Sequence, residues 1–75
     1  MDNPSNYLPP APSTMAPAKI KHLRETNHTS QAHFAELLTM SRSAVSAWEA
    51  GRSKPGPIAL KLLSIVEKHG LRILA

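Results

Sequence analysis

"SQAHFAELLTMSRSAVSAWEAG", residues 30–51, contains two short helical patterns joined by two turn residues. Ser30 suits the start of the first, because a serine oxygen can accept one of the free N–H groups of a helix N-terminus. Phe34, Ala35, Leu37 and Leu38 then recur at helical spacing. Thr39 and Met40 make the turn, and Ser41 caps the second pattern. Gly51 can take the left-handed conformation that ends it. The spacing predicts helices over 31–38 and 42–50.

At about 100° per residue the second helix has two unlike sides. Ala44, Val45 and Trp48 share one, a core face with Trp48 as its largest anchor. Arg42, Ser43, Ser46, Ala47 and Ala50 share the other, with one long cation and four small residues. A helix facing only water usually carries several Glu and Lys. A face cleared of bulk lets the helix approach another surface closely, and a DNA major groove, about 12 Å wide, accepts a helix on those terms. Gln31, Ala35, Val45 and Trp48 stand 4, 10 and 3 residues apart. Ala35 is small where two helices would cross, and Val45 plugs the angle between them. This is the steric logic of a helix-turn-helix, whose second helix enters the groove while the first lies across the backbone.

Outward from this centre, "PAKIKHLRETN" (17–27) opens with Pro17 at a first-turn position, where its missing N–H costs nothing. Ile20 and Leu23 face inward. "RSKPG" is a loop, Pro57 begins "PIALKLLSIVEKH" (57–69), and Gly70 stops it. "LRILA" forms one last turn or a short strand. No other strand is expected, so the fold class is all-α, with four to five short helices. Residues 1–16 hold four of the seven prolines and one charged residue, a composition that favours extended, solvated chain. They are expected to be a disordered Pro-rich tail, and 17–75 the domain.

The chain has 75 residues, so one domain is the ceiling, and it has no Cys for a disulfide framework or thiolate metal site. The formal net charge of +4 favours polyanionic partners. No apolar run reaches the roughly 18–20 residues of a membrane span, and no secretory signal opens the chain. A cytoplasmic location is expected.

"LR" at 23–24, "SQ" at 30–31, "FA" at 34–35, Ser41, Val45-Ser46, Trp48-Glu49, Gly51 and Pro55 carry a further likeness. In this order and spacing, residues 18–67 resemble the Xre, or lambda-repressor-like (Cro-type), helix-turn-helix family. Within it the ending of the pattern is similar to antitoxins of the HigA type and small autorepressors. The resemblance implies that Arg42, Ser43, Ser46 and Ala47 face DNA bases. It implies that Gln31 contacts a phosphate and braces the recognition helix, and that Arg24 and Glu49 form an internal ion pair. Arg52 and Lys54 match the basic loop that grips the DNA backbone. The helix N-termini after Ser30 and Ser41 add backbone donors for phosphate. Such turns commonly have Gly where this chain has Thr39, so either the turn takes another geometry or Thr39 is strained.

No catalytic residue is expected: Ser41, Ser43 and Ser46 have no paired base, and no Gly-rich phosphate loop is present. His22, His28, His33 and His69 are 6, 5 and 36 residues apart, which matches no common ligand pattern; no metal and no cofactor are expected. Helix 57–69 has more apolar residues than one core face needs. Ile65, with Leu71, Ile73 and Leu74, is expected at the interface of a homodimer, which would set two recognition helices about 34–36 Å apart on the duplex. The leading function is a sequence-specific double-stranded DNA-binding repressor acting as a dimer on a palindromic operator. One alternative is an antitoxin that also holds a RelE-like toxin. Another is a protein-only adaptor on the same scaffold.

Overall fold

The computed structural model describes residues 14–75. Four α-helices follow one another: α1 (Pro17–Thr26), α2 (Gln31–Leu37), α3 (Arg42–Ala50) and α4 (Pro57–His69). A 3-10 turn, Leu71–Leu74, follows α4. Among the described residues there is no strand. The four expected helices are present, α1 and α2 each ending one residue earlier than the spacing predicted, and "LRILA" is resolved as a helical turn.

The helix starts follow the chemistry of their first residues. The Ser30 and Ser41 side chains accept from the His33 and Ala44 backbone N–H groups, each at 3.1 Å. Pro17 and Pro57 open α1 and α4, where no side-chain cap is present.

The ends of α1, α2 and α3 share one device. Past α1 the Thr29 N–H reaches back to the Arg24 carbonyl (3.3 Å) and the His28 N–H to that of Glu25 (2.9 Å). Past α2 the Met40 N–H reaches Ala35 (2.8 Å) and the Thr39 N–H reaches Glu36 (3.1 Å). Past α3 the Arg52 N–H reaches Ala47 (2.9 Å) and the Gly51 N–H reaches Trp48 (3.2 Å). This paired closure requires one residue in the left-handed region. The three residues that occupy it are His28 (φ 53°), Thr39 (φ 60°) and Gly51 (φ 75°). Thr39 thus keeps the usual turn geometry and bears its strain.

The core gathers Ile20 and Leu23 from α1, Phe34 and Ala35 from α2, and Val45 and Trp48 from α3. From α4 it takes Ala59, Leu60, Leu63 and Val66. Ala35 is 1% exposed and Val45 fully buried, so the helix crossing and the plug in its angle stand where the spacing put them. A truncation of such a buried aromatic as Trp48 to alanine costs about 3–5 kcal/mol. An ion pair between Lys19 and Glu67, 2.6 Å apart, ties α1 to α4 at the surface.

Two placements differ from the sequence expectations. Residues 1–13 of the expected Pro-rich tail lie outside the described residues, but Met15, near its end, is 6% exposed and belongs to the core. Leu71, expected at a dimer surface, is also 6% exposed in its own chain's core. The physical reason lies in Asn27: its side-chain oxygen accepts the Leu71 N–H at 3.1 Å, and its amide donates to the Leu23 carbonyl at 2.7 Å. That latch, after the sharp redirection at Gly70 (φ 83°), turns Leu71 inward.

Candidate nucleic-acid interface

Recognition by a helix needs one side anchored and the other bare, and α3 meets both conditions. Its underside is Val45 and Trp48, with Ala44 packed partly against the core. Its outer side presents Arg42, Ser43 and Ala50 exposed, while Ser46 and Ala47 are half-buried. The following loop folds back over the last turn of α3, where the Arg52 and Ser53 N–H groups both donate to the Ala47 carbonyl, at 2.9 and 3.4 Å. The most open part of the expected base-facing set therefore lies at the first turn, at Arg42 and Ser43. Ser41 is exposed beside them.

A three-residue clamp fixes α3 against α1 and α2. The Arg24 guanidinium donates from Nε to Glu49 Oε2 at 2.7 Å and from its terminal nitrogen to Oε1 at 3.0 Å. The other terminal nitrogen of Arg24 holds the Thr29 carbonyl at 2.8 Å, in the loop before α2. Gln31 Nε2 donates to Glu49 Oε1 at 3.1 Å. One guanidinium fork thus binds a carboxylate on α3 and a carbonyl before α2, with the directional strength of a bidentate charged pair. Burial pushes the Glu49 carboxyl upward, but hydrogen bonds from Arg24 and Gln31 and the charges of Arg24 and Lys21 outweigh it, holding the group below the ordinary carboxylate value. The Glu49 bond raises Arg24 in turn, against the smaller effect of burial.

The ion pair expected between Arg24 and Glu49 is in place. Gln31 stands at the start of α2 and braces α3 through Glu49, which commits one of its two amide hydrogens inside the protein. Arg52 and Lys54 are exposed on the loop after α3, and Pro55, buried, pins that loop to the domain. Lys21 was not legible as part of this region. It lies near enough to Glu49 for its charge to help keep that carboxylate ionised, yet no spacing rule links a residue on the first helix to one on the third.

Of the residues expected at a dimer surface, Ile73 is 51% exposed. Ile65 and Leu74 are half-buried, and Leu71 is withdrawn into the core. Ile58, at the start of α4, is 73% exposed. Among the described residues no group of three or more His, Asp or Glu is arranged to hold a metal ion. No helix among them is long and apolar enough to cross a membrane.

Comparison with known proteins adds three findings. A family model described as "Helix-turn-helix" matches residues 20–66. Over 55 residues the chain is 38% identical to "Antitoxin HigA-2" of Vibrio cholerae, which covers 73% of this chain and 53% of that protein. Over 46 residues it is 39% identical to "HTH-type transcriptional activator BcrR" of Enterococcus faecalis, covering 61% of this chain and 22% of that protein. The match thus spans about half the length of the first relative and about a fifth of the second.

Proposed function

The chain belongs to the helix-turn-helix family, and on that premise we propose that it is a sequence-specific double-stranded DNA-binding repressor that acts as a dimer on a palindromic operator. The observation that carries this is the outer face of α3: small residues with Arg42 at the open end, on a helix clamped by Arg24, Gln31 and Glu49. Arg42 grips a guanine edge with two parallel hydrogen bonds, Ser43 and Ser46 bond to nearby bases, and Ala47 packs on a thymine methyl. Gln31, with its remaining amide hydrogen, joins Ser41, Arg52 and Lys54 on backbone phosphates, which set register without reading sequence. Two copies meet through the apolar flank that includes Ile65, Ile73 and Leu74, extended by Ile58. Blocking promoter access requires no more than this binding.

A second reading is favoured by the likeness to a protein named as an antitoxin. In it the same domain also holds a toxin protein of the RelE type, on the exposed apolar flank of α4. Co-purification with the product of the adjoining reading frame tests it: no stable complex with any neighbour removes this reading.

The leading proposal is tested by selecting duplexes from random DNA and titrating the winner against salt. Each phosphate contact should add about −0.9 to the slope of log K against log salt. Arg42→Ala should lose about 1–3 kcal/mol of discrimination at one base position, while Lys54→Ala weakens all sequences alike and reduces the slope by about one. Salt-insensitive association, or an Arg42→Ala loss equal on every duplex, would refute it and leave the adaptor.

A further inference from the structure

A cavity of about 440 Å³ opens on a different flank of the molecule, between the α1–α2 turn, the side of α2 and the C-terminal 3-10 turn. No residue of α3 or of the loop after it lines this space. His28, His33 and Arg72 bring nitrogen donors to it, and Leu37 and Leu71 give it an apolar wall. No acidic side chain lines it; Ala75, the last residue of the sequence, completes the rim, and no ion pair joins its terminal carboxylate to Arg72, His28 or His33. Among the described residues the ion pairs are Lys19–Glu67 and Arg24–Glu49, so none of the carboxylates described there lies within ion-pair distance of the Arg72 guanidinium. We propose that this cavity binds a small organic anion, one with a carboxylate or phosphate group on an apolar body.

The chemistry follows from the lining. A guanidinium presents a planar fork that matches carboxylate and phosphate oxygens. An imidazole offers at least one N–H donor in any protonation state. The Ser30 oxygen accepts the His33 backbone N–H, which leaves its hydroxyl hydrogen to donate. The Thr29 hydroxyl is already used, donating to the Asn27 carbonyl at 2.8 Å. The volume lies within the range of about 300–1,000 Å³ usual for small-molecule sites, so an anionic group fills one end and leaves the Leu37 and Leu71 wall for an apolar body. His28 lines the cavity from a left-handed backbone, φ 53°, where glycine would be unstrained.

This inference does not rest on DNA binding, and its test uses no DNA in the first arm. Phenyl phosphate is titrated into the ¹⁵N-labelled full chain and followed by amide chemical shifts, with phenol and inorganic phosphate in parallel. Expected are saturable shifts confined to residues 27–37 and 71–75, none of them with phenol and weaker binding of inorganic phosphate. Arg72→Gln should weaken phenyl phosphate at least tenfold. His28→Gly should weaken it several-fold while raising Tm, so the loss cannot come from unfolding. No saturable shift, or binding indifferent to both substitutions, would overturn the site. In the second arm, duplex DNA is added to the loaded protein. The shifts should persist; displacement would make a DNA phosphate the occupant and refute the small-molecule assignment.

Discussion

Thr39 is exposed and sits at φ 60° just past α2, so its side chain adds little buried surface while its backbone occupies a region that a Cβ disfavours. The left-handed conformation costs a non-glycine residue roughly 1–2 kcal/mol. Thr39→Gly removes that cost and returns about 0.4–1 kcal/mol of freedom to the unfolded chain. The balance is a stabilisation of about 1 kcal/mol, which for a domain of this size raises Tm by about 4–8 °C. The backbone bonds that close α2, from the Thr39 and Met40 N–H groups, survive the change. Thermal unfolding followed by circular dichroism reads the shift. Thr39→Ala is the control, because it keeps the Cβ and should recover less than half the gain. Gly51→Ala is the converse: its added Cβ would meet Pro17 Cγ at an ordinary 3.6 Å, so a loss of about 1 kcal/mol there is conformational in origin. If Thr39→Gly leaves Tm unchanged, or alanine matches glycine, backbone strain at this turn is not the governing quantity.

Glu49 and the apolar flank supply two further tests. The Glu49 carboxyl is held below its unfolded value, so its contribution is complete above the unfolded pKa and disappears as pH falls through the lower folded value. Glu49→Gln should destabilise by on the order of 3 kcal/mol at neutral pH, since it leaves Arg24 without its counter-charge, and the gap from wild type in a Tm-against-pH series should narrow only in the acid limb. For the proposed dimer, Ile73→Asp should shift sedimentation toward the monomer without lowering helicity; an unchanged sedimentation coefficient places the interface elsewhere.

Local chemistry makes most of the architecture legible in the sequence. Ser30, Ser41, Gly51, Pro17 and Pro57 each act within a few residues of where they stand, and helix bounds followed from them. The core faces of α1 and α3 were legible because a helix repeats its inward side every three or four residues. What escaped depends on contacts that no local pattern announces. Met15 stands alone among prolines, with no periodic neighbour to mark it as buried. Leu71 is drawn inward by an asparagine 44 positions earlier, and one 3-10 turn is too short to reveal which side is inner. His28 gives no sign that it fills a position usually left to glycine. The cavity joins residues 27–37 with 71–75, and so exists only once the chain is folded. The outer face of α3 was legible as a composition, but the half-burial of Ser46 and Ala47 belongs to the folded chain and no composition announces it.

Met15 and Leu71 place a practical limit on engineering this protein. Each is a side chain sunk in the core from just outside the helices, Met15 ahead of α1 and Leu71 after α4, so both flanking segments serve as stoppers. Trimming to the first residue of α1 would unplug a hole beneath it. Fusing a rigid carrier directly after Ala75 would drag on the Asn27 latch and the stopper it retains, whereas a flexible spacer at either extremity would leave both seated.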